Sequence, residues 1–204
     1  GPSSSATPYL EGVASGVKTN ALITVGDSVK GGYRLAGLPD GLGAYDNGNG
    51  TFTLVMNHEM GNTSGAVHAH GSKGAFVSKW IINKSNLSVV SGSDLITKVK
   101  LWKSGSYKDT TSSFNRFCSA DLPLVSAFYN SATGLGTQER IFMNGEEAGS
   151  EGRAFGHIVT GANAGTTYEL PYLGKFSWEN SVASPVRSDT TVVRSEERRV
   201  GKEC

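Results

Sequence analysis

Short apolar stretches alternate with turn residues along most of the chain, and none of them keeps a sustained helical period. A helix is indicated only weakly, in SADLPLVSAFYN (119–130), where Pro123 falls in the first turn and is tolerated there. The pattern therefore predicts an all-β protein. The predicted strands are ALITV (21–25), GYRLAG (32–37), AFVSKWII (75–82), LSVV (87–90), LITKVKLW (95–102), ERIFMN (139–144), FGHIVT (155–160), TTYEL (166–170) and TTVV (190–193).

Turn-forming clusters join several of these strands into hairpins. DNGNG (46–50) lies between GAY and TFTLVM, NKSN (83–86) follows the strand at 75–82, and GANAG (161–165) follows FGHIVT. Many short strands with glycine-rich turns are typical of a sandwich, a barrel or a propeller. LVMNHE (54–59) is echoed 87 residues later by IFMNGE (141–146). This spacing matches two blades of a repeat of roughly 40–50 residues and favours a partial β-propeller.

Both ends of the chain differ from the rest. Gly1-Pro2 reads as the scar of fusion-tag cleavage, followed by a small, polar, extended arm up to residue 20. The tail RSEERRVGKEC (194–204) reads as the in-frame translation of a sequencing adapter joined to a gene fragment of environmental origin, rather than as a natural charged tail. We therefore expect a partial propeller domain over 21–193 between these two segments.

Charge and cysteine content narrow the possible functions. The tail carries four of the 19 Lys and Arg and three of the 18 Asp and Glu, which leaves 15 of each. This balance gives no support for binding to nucleic acid or to an acidic membrane, and no apolar run approaches the roughly 18 residues of a membrane span. A low-charge composition rich in Gly, Ser, Thr and Asn favours a secreted or periplasmic bacterial protein. Outside the tail, Cys118 is the single cysteine, so it is a buried small residue, a nucleophile or a metal ligand.

Polar side chains follow the two echoed strands. Asn57 and Glu59 share one face of an ideal strand, and Asn144 and Glu146 repeat the arrangement. Carboxylates gathered at one place need cations, and hard oxygen ligands suit Ca²⁺, Mg²⁺ or Mn²⁺, whereas a thiolate among them favours iron. The alternative is that each acidic residue only begins a solvated turn. The candidate metal ligands are Asn57, Glu59, Cys118, Glu146, Glu147 and Glu179.

Histidines and hydrolase motifs add less. His68 and His70 would share a strand face but are expected at the surface, and His157 is expected in the core or at its rim. His58 lies between two candidate ligands and would point away from them. The sequence contains no G-x-S-x-G elbow of a serine hydrolase and no phosphate-binding P-loop.

Four motifs, in this order, resemble those of the PhoX-type alkaline phosphatases and their propeller relatives. They are YRLAGLPDGLGAYDNGNGTFTLVMNHEMG, then Cys118, then NGEE and LGKFSWEN, which together span roughly 32–180. The chain departs from the family pattern in having NGEE where the family has Cys-Glu-Glu, in the longer distance from Cys118 to that segment, and in Trp178 before Glu179.

The resemblance implies a six-bladed propeller phosphatase that is exported and holds calcium and iron. By resemblance, Cys118, Glu146 or Glu147, and Glu179 fall where the family has metal ligands, and Glu59 falls nearby. The expected function is metal-dependent hydrolysis of a small phosphate ester that depends on Glu146, with Arg140 or Arg153 clamping the phosphate unless each is an ordinary strand-flanking charge. The alternative is a non-catalytic, calcium-stabilised extracellular β-module. In either case unpaired strand edges predict a homo-oligomer that completes the sheet or ring.

Overall fold

The computed structural model of this chain describes residues 1–197, and β-strands dominate its regular structure. The remaining helices in the described part are three short 3₁₀ turns at Val125–Ala127, Gly149–Glu151 and Pro171–Leu173. The all-β prediction is confirmed. The strands are β1 (Leu38–Asp46), β2 (Thr51–Glu59), β3 (Phe76–Asn83), β4 (Val89–Asp94), β5 (Lys98–Lys103), β6 (Ser106–Thr110), β7 (Phe117–Asp121), β8 (Tyr129–Asn130), β9 (Leu135–Gly136), β10 (Ile141–Glu146), β11 (Ala154–Ile158), β12 (Thr166–Glu169), β13 (Trp178–Ala183) and β14 (Val193–Glu197).

Two large sheets and two hairpins contain these strands. The first sheet is an antiparallel meander in the order β1-β2-β3-β4. The second has the order β6-β5-β12-β11-β10-β7 and is antiparallel except where β5 runs parallel to β12. The hairpins are β13-β14 and β8-β9. Within residues 1–197 no sheet closes into a barrel.

Apolar residues on the two faces of the large sheets form three buried hydrophobic clusters. The largest cluster, with Val55, Val77, Phe114 and Phe155 among its members, joins the first sheet to the second. The outer face of the first sheet buries Trp80 and its neighbours beneath the segment 22–35. The outer face of the second sheet packs against the region around the β13-β14 hairpin in a smaller cluster. Both large sheets therefore have two covered faces, which fixes their registers.

The predictions for 21–25 and 32–37 as strands are wrong. These residues form an irregular loop with one isolated bridge, Ser28 to Arg34. The Gly26 amide donates to the Leu35 carbonyl across the loop, and the Leu35 amide donates to the Asp27 carbonyl. Val29 and Leu35 are buried against the first sheet and Leu22, Ile23 and Tyr33 are partly buried there, so their apolar character reflects tertiary contact and not strand pairing.

The helix candidate at 119–130 is also wrong. Its first residues continue β7, its centre is the 3₁₀ turn at Val125–Ala127, and its last two residues form β8. Pro123 lies between β7 and the 3₁₀ turn and prevents a continuous helix here, because proline has no backbone N–H to donate and its ring restricts the conformation of the residue before it. β6, β7 and β13 are strands that the hydrophobic pattern did not predict.

The strand β7 packs between β1 and β13, each of which is the edge strand at one end of its own sheet or hairpin. Glycine makes this approach possible. A Cβ added to Gly41 of β1 would lie 2.3 Å from the backbone nitrogen of Ala120 in β7, and one added to Gly145 of β10 would lie 2.4 Å from the Trp178 side chain in β13. Because real Cβ atoms do not approach so closely, these positions require glycine.

The two ends of the chain differ in their regular structure. Residues 1–20 contain no helix or strand. The first residues of the expected adapter tail pair with β13 as part of β14, whereas 198–204, including Cys204, lie outside the described residues. Among the described residues, no helix has both the length and the apolar character needed to cross a membrane.

Candidate metal centre

A thiol and four carboxylates converge where β1, β2, β7, β10 and β13 meet. They form two groups that share Cys118, and in each group one ligand atom per residue lies within 4.8 Å of the others. We call these five residues the acidic cluster. The first group is Asp40, Glu59 and Cys118, and the second is Cys118, Glu147 and Glu179.

Irregular strand pairing directs these side chains to one place. Asp40 lies in the register shift of β1 against β2 between Pro39 and Leu42, and Glu179 lies in the shift of β13 against β14 between Trp178 and Ser181. A third shift, between Asn144 and Glu146, occurs where β10 pairs with β7 near Cys118. Bulges bend a strand and re-aim its side chains, and they occur often beside functional sites.

Cys118 lies at the centre of the cluster. Its Sγ atom is 3.4 Å from Oε2 of Glu147 and 3.8 Å from Oδ2 of Asp40. Burial, the hydrogen bond to Glu147 and the surrounding negative charges raise the pKa of the Cys118 thiol to about 12. Burial and the charge of Glu59 also raise the pKa of the Asp40 carboxyl. The charges of Asp40, Glu59 and Glu147 therefore oppose ionisation of the thiol that they surround.

Arg116 places a positive charge beside the cluster. Its Nε donates to Oε1 of Glu59 at 3.0 Å, and its Nη2 donates to Oε2 of Glu147 at 2.7 Å. The hydrogen bond to Glu59, followed by the charges of Glu147 and Glu59, raises the pKa of the Arg116 guanidinium. Ser119 lies at the other side, with Oγ 3.4 Å from Oε2 of Glu179.

No protein-family model, curated protein or solved structure matches the chain. The resemblance to PhoX-type phosphatases stays a prediction.

Of the sequence-predicted metal ligands, the structure brings together Glu59, Cys118, Glu147 and Glu179. It does not bring Asn57 to them as a ligand. Asn57 is fully buried, its Nδ2 donates to the carbonyls of Cys118 and Ser119 at 3.0 and 3.2 Å, and its Oδ1 accepts from Nδ2 of Asn144 at 2.8 Å. This placement corrects the expectation for Asn57, because both ends of its amide are already bonded.

Asn57 belongs to a chain of buried hydrogen bonds. Beyond Asn144, Nε2 of His157 lies 2.8 Å from Oδ1 of Asn144, and Nδ1 of His157 lies 2.7 Å from Oγ1 of Thr167. An amide oxygen can only accept, so Nε2 of His157 carries the proton and Nδ1 accepts from Thr167. Burial lowers the pKa of His157 to about 3, which keeps this ring neutral. The two echoed strands thus meet through Asn57 and Asn144, inside the protein and behind the cluster.

Glu146 and Arg153 form a separate, buried ion pair. Nε of Arg153 donates to Oε2 of Glu146 at 2.7 Å and Nη2 donates to Oε1 at 2.9 Å, while the amide of Asn115 donates to Oε1 at 3.0 Å. These contacts occupy both carboxylate oxygens and the guanidinium. The expectation that Glu146 joins Glu59 and Glu179, with Arg153 as a phosphate clamp beside them, is corrected accordingly.

Arg140 is also away from the cluster. Its guanidinium carbon lies 4.6 Å from the centre of the Tyr45 ring, which is a cation–π contact. The expectation that Arg140 clamps a phosphate at the metal site is corrected as well.

The histidines of the long β2–β3 loop and of β2 are bonded or stacked inside the structure. His68 and His70 lie in a turn closed by the Gly71 amide and the His68 carbonyl, not on a strand. His68 contacts the Asp94 carboxylate at 3.3 Å. His58 is buried between the Ala36 carbonyl and the Ser78 hydroxyl, which lie 2.6 and 2.7 Å from its two ring nitrogens.

Sequence reasoning missed Asp40, Arg116 and Ser119. Asp40 lies in the Pro-Asp-Gly segment that was part of the family resemblance, so a signal for it was present. Arg116 had no such signal, because its placement depends on a backbone conformation (φ 51°) that neither composition nor period reveals.

Proposed function

We propose that this protein is a metal-dependent phosphoesterase whose cations bind at the acidic cluster. The observation that supports the proposal is the pair of three-residue groups that share Cys118, each with its ligand atoms within 4.8 Å of one another. Four strands and the residue that follows β10 contribute one candidate ligand each. Carboxylates held this close to one another favour the binding of a cation among them.

The donor set fits hard divalent cations with one softer position. Carboxylate oxygens are the ligands that Ca²⁺ prefers, and a thiolate at the shared position suits iron or another transition metal. Cations at such a site would polarise the phosphoryl oxygen of a bound ester and neutralise the charge that develops there. Bulges at Asp40 and Glu179 hold two of the carboxylates in place, and the half-exposed side chain of Arg116 borders the cluster.

We also propose that the sheets are blades of a partial β-propeller. The supporting observation is that β1, β7 and β13 pack side by side, and that each is the first strand of an antiparallel unit in the chain. In a propeller the innermost strands meet in this way around a central axis. Export from the cell is part of the same proposal and is supported by composition alone.

Self-association would cover the faces that this arrangement leaves open. Leu38 and Leu42 of β1 are 63% and 53% exposed, and Tyr172 beside an apolar groove of about 440 Å³ is 90% exposed. Exposed apolar surface next to unpaired strand edges favours contact with a second copy. Light scattering measured as the protein elutes from a size-exclusion column is expected to give the molar mass of a dimer or a larger oligomer. The molar mass of a monomer at all concentrations would contradict this part of the proposal.

The test of the enzymatic proposal combines metal analysis with turnover. After loading with Ca²⁺, Mn²⁺ or Fe³⁺ and removal of free metal, the protein is expected to retain cations and to hydrolyse p-nitrophenyl phosphate. Glu59→Gln and Glu179→Gln should reduce both retention and turnover by at least tenfold, since each removes a charged ligand. Glu151→Gln is the matched control, because Glu151 is 78% exposed and lies outside the cluster, where it pairs with Lys175 at 3.1 Å.

Two results would contradict the proposal in different ways. Retained cations without turnover would support the non-catalytic, calcium-stabilised β-module instead. Turnover that persists unchanged in Glu59→Gln and Glu179→Gln would place the reaction elsewhere on the molecule.

A further inference from the structure

His70 is a buried residue whose two ring nitrogens have no partner in the protein. The residue is 5% exposed, and its ring packs against Phe114 with the ring centres 5.2 Å apart. Within residues 1–197, neither Nδ1 nor Nε2 of His70 has a hydrogen-bond partner. Buried polar groups are almost always bonded, and where the chain supplies no partner a bound water or ion does so. His70 therefore points to a bound species that the chain itself does not provide.

His68 lies beside His70 and keeps one nitrogen available for a ligand. Nδ1 of His68 is 3.3 Å from each carboxylate oxygen of Asp94. Because a carboxylate only accepts, Nδ1 carries the proton, and in the neutral ring Nε2 keeps its lone pair. In the part of the chain that the structure describes, Nε2 of His68 makes no hydrogen bond. A carboxylate that orients an imidazole through one nitrogen and leaves the other free is the usual arrangement at metal-binding histidines.

The spacing of the two rings suits a single ion between them. The planes of His68 and His70 differ by 4°, and their ring centres are 6.3 Å apart. With metal–nitrogen bonds of about 2.0–2.1 Å, two imidazoles on one ion have ring centres roughly 5–6.5 Å apart. The His68 side chain is 13% exposed, so an ion can reach the pair from solvent on that side.

A tight turn holds the backbone that carries both histidines. The His68 amide donates to the Ser72 carbonyl at 3.0 Å, and the Gly71 amide donates to the His68 carbonyl at 2.9 Å. Between the histidines, the Ala69 amide donates to Oδ2 of Asp94 at 2.7 Å. Gly71 has a φ of 88°, in the left-handed region that glycine adopts without strain. The turn is therefore already formed before an ion binds, which lowers the entropic cost of binding.

We propose that His68 and His70 together bind a late first-row transition metal ion such as Zn²⁺. Imidazole nitrogens suit Zn²⁺, Cu²⁺ and Ni²⁺, whereas Ca²⁺ takes oxygen ligands. The protein supplies two nitrogen ligands, and water or a small ligand fills the remaining positions. This site goes beyond the proposed function, because no residue of the acidic cluster belongs to it.

Nitrogen-15 NMR of the histidine rings tests the proposal on the unsubstituted, metal-free protein, with Zn²⁺ as the probe. Added Zn²⁺ should shift the resonances of Nε2 of His68 and of one ring nitrogen of His70. The other two of the four histidines are controls in the same spectrum. Both ring nitrogens of His58 and of His157 are bonded within the protein, so Zn²⁺ should not bind them. Ca²⁺ should shift the resonances of none of the four rings.

Two variants separate this site from the acidic cluster. In His70→Gln, the Kd followed at the His68 resonance should rise at least about tenfold, since even the loss of a residue that only orients a ligand weakens metal binding about 10–100-fold. Glu59→Gln changes the acidic cluster and should leave the response of both rings to Zn²⁺ unchanged.

Three results would overturn the proposal. A response that is lost in Glu59→Gln would place the ion at the acidic cluster. A response of His68 alone would show binding to a single imidazole and not to the pair. No response of either ring would show that the unpartnered nitrogens of His70 have water, and not a metal ion, as their partner.

Discussion

The buried hydrogen bond between Asn57 and Asn144 leads to a quantitative prediction for the free energy of unfolding. Asn144→Ala removes the donor to Oδ1 of Asn57 and the acceptor for Nε2 of His157, and all three side chains are at most 1% exposed. Each buried polar atom left without a partner costs about 1–3 kcal/mol, and the lost side-chain volume adds to this. We expect Asn144→Ala to lower the free energy of unfolding by about 3–5 kcal/mol.

Urea unfolding followed by tryptophan fluorescence measures this change, with Asn163→Ala as the control because Asn163 is exposed. A double-mutant cycle makes the test more specific. The double variant Asn57→Ala/Asn144→Ala should cost less free energy of unfolding than the sum of the two single variants. Each single variant already leaves the other amide without its hydrogen-bond partner, so the second change removes a group that was unsatisfied. A loss below about 1 kcal/mol for Asn144→Ala, or strict additivity in the cycle, would refute the reasoning that the two amides depend on each other.

Two further predictions concern pH and backbone packing. Burial lowers the pKa of His58 to about 4, so the stability that His58 contributes is present above pH 6.5 and is lost as the pH falls toward 4. Burial also lowers the pKa of His70 to about 4 and that of His157 to about 3, so these two rings add losses of the same sign. Chemical unfolding at several pH values should therefore show a loss in His58→Gln that is smaller than in the unsubstituted protein by about 3 kcal/mol. Gly41→Ala should destabilise the protein by more than about 2 kcal/mol in thermal unfolding, because its Cβ would meet the backbone of Ala120, whereas Gly61→Ala, which meets only a side-chain oxygen at 3.5 Å, should be nearly neutral.

The echo between 54–59 and 141–146 led to the prediction that Asn57 and Glu59 on one strand, and Asn144 and Glu146 on the other, carry ligands of a metal site. In the structure Asn57 and Asn144 instead form a direct hydrogen bond with each other. Both amides turn into the protein because backbone carbonyls and His157 need partners there. The alternation of residues along a strand predicts the face on which a side chain lies. It does not predict which buried polar groups will need that side chain as a hydrogen-bond partner.

Bulges explain why Glu147, and not Glu146, joins the acidic cluster. On an ideal strand Glu146 would match Glu59, but the register shift between Asn144 and Glu146 changes the direction of the residues that follow. Glu146 is then drawn to Arg153, with which it forms a buried pair. A one-residue irregularity exchanges the two sides of a strand, so period-2 reasoning fails at such a point.

Hairpins were predictable where turn chemistry was strong. The DNGNG and NKSN segments gave the β1–β2 and β3–β4 connections, because turn residues separate two clearly apolar runs. The strand β13 was not predicted, since WENSVA mixes charged and polar residues and is held by contacts with β7 and β10 that are distant in sequence. Tertiary contact, and not local preference, determines such strands.

We predict that cations bind among Asp40, Glu59, Cys118, Glu147 and Glu179. Crystals grown with Mn²⁺ and measured near the manganese absorption edge test this binding directly, because an anomalous difference map locates the ion without reference to activity. The expected result is a peak within about 2.6 Å of carboxylate oxygens of this cluster. A map with no peak at the cluster would contradict the prediction.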